Sequence, residues 1–526
     1  MDSESEVLRP LARSFSILIA IVILTTGCEK AEVGILATNT EVPSPFALTS
    51  SSSHIITETP LKTSTSIPFD DKGPWLLGYG GGGLTLYDLS GNKRLLWNSP
   101  PLWDPKDDVL LETGVSSKGW LAVRTASQSD PPVDIAINII RPPMDQPVRS
   151  IPLLSSDLAA RFQDVSAGED ERWRDDDFYQ MVLNRLCRPR WSPEGRYMAF
   201  AAALDGPSTD LYIYDVLTDA IGKLSDEPEH VVILGWSPDS QWIVYSEADA
   251  AEDLPPGYIM AHPVGYEGVA LRAAAVESCE TRELIAFSNP RRFKLLAWTS
   301  PTNFFLALFD VDGYPVGLQS VDIESRQALV LYEGPSIRAI ADGVSGTVAF
   351  TVLAEDQTAG GIYVIDATQG EQMMISESFA QSPFSEFIVW SPQLGRYLTE
   401  SHAGVLIFEP SGEVTQRFDQ ETCLPEPSPN GAWLAFGVCD QWSGISRPGL
   451  RLYRTEGDFE QTLSEDEIQD IVWRSDSTGL FYIDGSSQMI YFDLTLGESR
   501  IIDENAQPFL ILIQPSPLES EGEAGD

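Results

Sequence analysis

Short apolar runs recur along most of the chain, each about five residues long and closed by Gly, Pro, Ser, Asn or Asp. Examples are Met198-Ala199-Phe200, Ile243-Val244-Tyr245 and Leu434-Ala435-Phe436. A second set reads Leu211-Tyr212-Ile213-Tyr214, Ile362-Tyr363-Val364-Ile365, Val405-Leu406-Ile407-Phe408, Leu450-Arg451-Leu452-Tyr453 and Met489-Ile490-Tyr491-Phe492. The runs are too short for helices and rich in β-branched and aromatic side chains, so they predict strands buried on both faces.

The first set follows a repeated turn. Its clearest copies begin Trp191-Ser192-Pro193-Glu194-Gly195, Trp236-Ser237-Pro238-Asp239-Ser240, Trp390-Ser391-Pro392-Gln393-Leu394-Gly395 and Pro427-Ser428-Pro429-Asn430-Gly431. Weaker copies begin at Trp298 and Trp473, and Gly119-Trp120 and Gly346-Thr347 look like eroded ones. Pro pre-sets one φ, and Gly or Asn accepts a left-handed conformation, which makes a tight turn before each strand. The Trp is expected to pack near the turn and against the next unit. Copies recur at roughly 40 to 60 residues, the length of a four-stranded propeller blade with variable loops.

Taken together, these copies resemble the WD40-like β-propeller repeat of the TolB family over residues 71–514, without the Gly-His and Trp-Asp pairs of true WD40 proteins. The expected fold is all-β: a β-propeller of four-stranded blades, about eight of them, with seven or nine open. The run Phe509-Leu510-Ile511-Leu512-Ile513 has no following partner of its own. It is expected to complete the N-terminal blade that starts with Trp75-Leu76-Leu77, since a ring avoids free edges. Residues 141–190 read as one partly helical insertion, with a helix over Glu171 to Cys187 whose Phe178, Met181, Val182, Arg185 and Leu186 recur at helical spacing. Asp175, Asp176 and Asp177 suit the positive end of that helix but lack calcium-loop spacing, so they are not read as a metal site.

The two ends differ from the repeats. Arg9 and Arg13 precede a short apolar run from Phe15 to Leu24, too short for a comfortable bilayer span, and this reads as a signal peptide over residues 1–27. Gly27-Cys28 resembles the lipobox of bacterial lipoproteins, although Thr25 departs from that family's Leu, Val or Ile. The resemblance implies a lipid on Cys28 and an extracytoplasmic protein held at the cell membrane or outer membrane. An uncleaved anchor and a free secreted protein are the alternatives. Residues 28–70 are rich in Ser, Thr and Pro and are expected to be a flexible tether, and 515–526 a disordered acidic tail.

With 78 acidic against 34 basic side chains, the net charge is -44. That excludes a nucleic-acid partner, which needs a basic footprint, and otherwise describes a solvated, self-repelling surface. Export permits disulfides, and the four cysteines beyond Cys28 allow three pairings. Cys423 with Cys439 is favoured because the two flank the hairpin signal at Pro429-Asn430-Gly431, and Cys187 with Cys279 follows by elimination.

No catalytic or cofactor signature stands out. The four histidines, His54, His230, His262 and His402, are scattered, and there is no C-x-x-C, no Gly-rich phosphate loop and no G-x-S-x-G elbow. Asp210, Asp215, Asp239 and Glu194 are read as turn residues rather than as paired carboxylates. The resulting expectation is a protein-binding or scaffolding module, not an enzyme, with no cofactor or metal. Its expected partners are the lipid anchor in the membrane and a protein. Carbohydrate or small-ligand binding in the central channel, and a hydrolase or lyase using channel carboxylates or a metal, are the alternatives.

Overall fold

The computed structural model describes residues 69–514 except 81–82, 98–113, 126–134, 161–188, 207, 227–229, 249–267, 311–312, 354–358, 368–369, 377–386, 401–404, 419–422, 438–448 and 457–459. Cys28, the signal peptide, most of the tether, the acidic tail and the expected helix over Glu171 to Cys187 therefore lie outside the described residues. The chain is nearly all-β, as its short apolar runs predict. Among the described residues no helix is long and apolar enough to cross a membrane.

Hydrogen bonding sorts the described strands into eight antiparallel sheets, and counting the seven-stranded one as two meanders that share a strand gives nine units. Unit one joins both ends of the chain. Phe509–Ile513 lies beside Trp75–Gly80, which is followed by Gly83–Asp88 and Lys93–Trp97. Its register, Trp75↔Ile513 to Tyr79↔Phe509, bears out the expected closure. Unit two holds Leu121–Thr125, Ala136–Ile140 and Pro147–Pro152, with Val115 bridged to Leu121 in place of a first strand.

Unit three holds Arg190–Trp191, Tyr197–Ala202, Asp210–Asp215 and Ala220–Lys223. Unit four holds His230–Trp236, Trp242–Ala248, Gly268–Ala275 and the start of the long strand Thr281–Trp298. The end of that strand opens unit five, so units four and five form one seven-stranded sheet. Units six to nine begin with Ser336–Asp342, Phe387–Ser391, Cys423–Pro427 and Ile468–Trp473.

First strands of neighbouring units touch from unit three through unit seven, and from unit eight through nine to one, which places them innermost. The core is divided accordingly. Nine apolar clusters each bridge two neighbouring units, for example Trp120, Ile137 and Phe200 between two and three, and Phe293, Leu271 and Phe304 between four and five. Phe481, Tyr491, Leu76 and Leu510 join unit nine back to unit one. Each fully buried side chain of this size contributes roughly 1.5–3 kcal/mol, and the sequence of clusters runs in a cycle.

The repeat turns show why the motif recurs. A buried Ser hydroxyl does work that Pro and Gly do not. Ser192 Oγ accepts from Tyr197 N–H at 3.0 Å, Ser237 Oγ from Trp242 N–H at 2.9 Å, and Ser428 Oγ from Trp433 N–H at 2.9 Å. The fourth turn position is left-handed, at Gly195 (φ 74°) and Gly431 (φ 68°) but also at Ser240 (φ 61°) and Ser477 (φ 58°). There the serines pay for their strain: Glu194 N–H donates to Ser240 Oγ at 3.3 Å and Asn430 N–H to Ser477 Oγ at 3.0 Å, tying each turn to its neighbour.

The Trp faces the opposite way from expectation. Trp236 Nε1 donates to Arg190 O at 2.8 Å and Trp473 Nε1 to Glu426 O at 2.8 Å, in each case in the preceding unit. The Trp side of an inner strand is turned toward the strands already laid down, where Trp236 packs among Ala199, Leu211 and Tyr197.

A second correction concerns the insertion 141–190. Its first part turns back as Pro147–Pro152, the outer strand of unit two, and Leu153, Leu154 and Leu158 then enter the core. The strand was hidden because an outer strand buries little: of its apolar residues only Ile151 is buried, and Pro stands at each end.

An antiparallel meander sends its connections to two opposite faces. On one, the repeat turns and the links between third and outer strands are tight, such as 192–196, 216–219 and 494–497. On the other lie the strand ends that flank the long connections, such as Thr125 and Ala136, Ala248 and Gly268, Ser376 and Phe387, and Gly437 and Leu450. The ring therefore has a turn face and a long-connection face.

Candidate functional site

A group of ionisable side chains lies on the long-connection face of unit three. Asp210 opens the third strand there, and Lys223 ends the outer strand beside it, in register with Tyr212. Lys223 can thus reach back over the strand start. Its Nζ lies 2.7 Å from Asp205 Oδ2 and 3.2 Å from Asp210 Oδ2, and also pairs with Asp226. Tyr212 OH donates to Asp205 Oδ1 at 3.1 Å. Ser225 Oγ accepts from Leu211 N–H at 2.8 Å, which pins the chain as it leaves the outer strand toward Asp226.

His230 adjoins this group as the first residue of unit four's inner strand. Its Nδ1 accepts from Thr209 N–H at 3.1 Å, and the ring fastens unit four to unit three.

Burial divides the carboxylates. Asp210 is 2% exposed, and among the described residues no donor reaches its Oδ1. Desolvation outweighs the nearby ammonium and pushes its carboxyl up to about 7. Asp205 is also penalised by burial, but Lys223 and Tyr212 hold it below the usual carboxylate range. Burial works against the charge of Lys223, yet Asp205, Asp226 and Asp210 together hold its ammonium well above the ordinary lysine range.

This arrangement can store a proton near neutrality and present the exposed Asp205 and Asp226 to a cation. One carboxylate oxygen from each of Asp205, Asp210 and Asp226 lies within 4.8 Å of the others, a spacing a metal ion accepts. The Lys223 ammonium already sits among all three, so a metal would have to displace it, and the residues do not fit a resident ion.

The other residues singled out in the sequence are dispersed. Trp191, Pro193, Gly195, Trp236, Pro238, Asp239, Trp390, Pro392, Gly395, Pro429 and Gly431 all lie at first strands or repeat turns. Asp239 Oδ1 accepts from Ser237 Oγ at 2.6 Å within its own turn, and Asp215 binds Arg196 Nη2 at 2.9 Å. Asp210 is instead a buried strand residue, which corrects its reading as a turn position. Cys423 pairs in register with Gly437, and Cys439 and Cys187 lie outside the described residues. Sequence reasoning missed Lys223, Asp205 and Asp226. Their only signal was a lysine at a strand end close to Asp226.

No family model matches the chain. A curated relative, the uncharacterized peptidase YuxL of Bacillus subtilis (strain 168), is 40% identical over 60 residues, which take in 11% of this chain and 9% of that protein. The solved structures it is similar to include an oligogalacturonate lyase from Vibrio parahaemolyticus (14% identity, 56% of this chain and 84% of that one, TM-score 0.32). They include also a protein described as TolB from Agrobacterium tumefaciens (16%, 52% and 79%, 0.27) and the Cps50 β-propeller domain from Myceliophteria thermophila (14%, 60% and 95%, 0.31). These likenesses speak to fold alone. The expectation that the chain is not an enzyme is corrected by the curated relative, which is described as a peptidase. Missing catalytic motifs do not make a propeller a non-enzyme. The successive antiparallel meanders, with unit nine packed back on unit one, make the chain a β-propeller.

Proposed function

We propose that this chain is an extracytoplasmic β-propeller, tethered to the membrane by a lipid on Cys28, that presents its long-connection face to a partner protein. The observation that carries this reading is the unequal distribution of chain between the two faces. Long connections bring more side chains to one face than tight turns bring to the other, and binding residues concentrate on such connections. The charge of -44 and the exposed Asp205 and Asp226 on that face favour a partner with a basic surface.

The test uses the full lipid-anchored chain, solubilised from membranes and compared with two variants. One shortens 161–188 and carries Asp205→Asn and Asp226→Asn. The other carries Asp476→Asn and Asp493→Asn on the turn face. Partner recovery lost only in the first supports the reading, and equal recovery from both overturns it.

A second reading rests on the match to the Bacillus subtilis peptidase: the propeller contributes to peptide hydrolysis. Turnover of a fluorogenic peptide panel by the purified chain supports it, and no turnover above the buffer rate rejects it.

A further inference from the structure

The cations of this acidic protein are unevenly placed. On the described innermost strands every Lys and Arg lies in units three, five and six: Arg190, Arg292, Lys294 and Arg338. The innermost strands of units seven, eight, nine and one, Phe387–Ser391, Cys423–Pro427, Ile468–Trp473 and Phe509–Ile513, carry none, and they hold Glu426 and Asp470 instead. One sector of the inner wall is thus basic in a chain whose total charge is -44.

Two of these side chains matter most. Lys294 pairs with Ala307 in the middle of its strand, so it lies at neither mouth of the ring, and it is exposed. One edge of an innermost strand is covered by the next strand of the same unit, and its flanks pack on neighbouring units. Exposure there means exposure to the axis. Arg338 is exposed on the adjacent inner strand of unit six, within a bulge between Ile337 and Ile340, at φ 52°. A left-handed Arg costs of order 1–3 kcal/mol, and such strain concentrates where a side chain must be aimed. The two strands lie side by side. Both side chains have contacts of their own within the chain, so the inference rests on where they are placed.

We propose that the channel wall between units five and six binds a small multivalent anion bearing carboxylate or phosphate groups, with Arg338 supplying a planar fork and Lys294 a point charge. The surrounding negative surface repels anions, while low-dielectric walls focus the field of a basic sector inside the ring, so the site selects a ligand compact enough to enter the axis.

The test is calorimetric titration of the full chain, at low ionic strength, with citrate and separately with pyrophosphate. Tighter binding of one identifies the group preferred. Lys294→Gln combined with Arg338→Gly, which removes both charges and suits the left-handed position, is expected to weaken binding at least about tenfold. Lys294→Gln alone, at an exposed site, carries the same test with a smaller loss if the double variant does not fold. Lys93→Gln on the outer strand of unit one serves as a rim control and is expected to leave affinity unchanged. Absence of binding by both anions, or an affinity unaltered by Lys294→Gln, overturns the proposal.

Discussion

Replacing Ser237 by Ala isolates the group that holds a repeat turn together. Its hydroxyl accepts from Trp242 N–H at 2.9 Å and Gln241 N–H at 3.2 Å and donates to Asp239 Oδ1 at 2.6 Å, and the side chain is fully buried. Ala fills nearly the same space, so packing is preserved and the hydrogen bonds alone are lost. Asp239 keeps Gln241 N–H at 3.1 Å. Trp242 N–H loses its hydroxyl acceptor where the turn enters the strand. A donor left unsatisfied in that way costs about 1–3 kcal/mol. Because the loss is confined to one turn, it appears as local opening rather than global unfolding.

Native-state hydrogen exchange read at the Trp242 amide is therefore expected to speed up roughly ten- to hundredfold, with Leu452 in unit eight unaffected. Unchanged protection at Trp242 would refute the keystone role, and acceleration throughout the ring would refute its local character. Ser240→Gly is a companion with a different signature. It relieves a left-handed serine but removes the acceptor of Glu194 N–H, so the two effects roughly cancel in global stability, each of about 1 kcal/mol. The Glu194 amide in unit three nevertheless exchanges faster.

Asp210 gives a pH signature. Its folded carboxyl titrates at about 7, above the unfolded value, so the native state holds an extra proton between those values and stability falls as pH rises toward 7. Asp210→Asn is expected to flatten that decline in urea midpoints, and an unchanged slope would show that the carboxylate is not held protonated. At the N-terminus, mass determination of the mature chain is expected to show a diacylated Cys28 and no signal peptide. Cys28→Ser is expected to leave the membrane fraction, and a wild-type terminus that is uncleaved or unmodified would reject the anchor.

Much of the ring was legible in the sequence because its parts are local. Each Trp-Ser-Pro turn and the strand after it occupy a dozen residues, and the eight copies from Gly119 to Trp473 plus the strand set at Trp75 correspond to the nine units. The closure by Phe509–Ile513 was also readable, since a bare apolar run needs a partner. What escaped was non-local or weakly patterned. Pro147–Pro152 buries too little to show alternation. The direction of Trp236 depends on the twist between units, which no window of sequence contains. The Asp205, Asp210 and Lys223 group exists only because the third and outer strands of unit three pair in register. The Ser hydroxyls were in plain view, but turn propensity credits Pro and Gly, and only the burial of Ser192, Ser237 and Ser428 reveals their part.

The proposed function stands or falls on which face meets a partner, and site-specific photo-crosslinking reads this directly. A photoreactive residue is placed at Asp226 on the long-connection face, and in a second protein at Leu496 on the turn face, each in the lipid-anchored chain in intact cells. A discrete crosslinked protein from position 226 and none from position 496 is the predicted result. Crosslinking from position 496 alone, or equally from both, would contradict it.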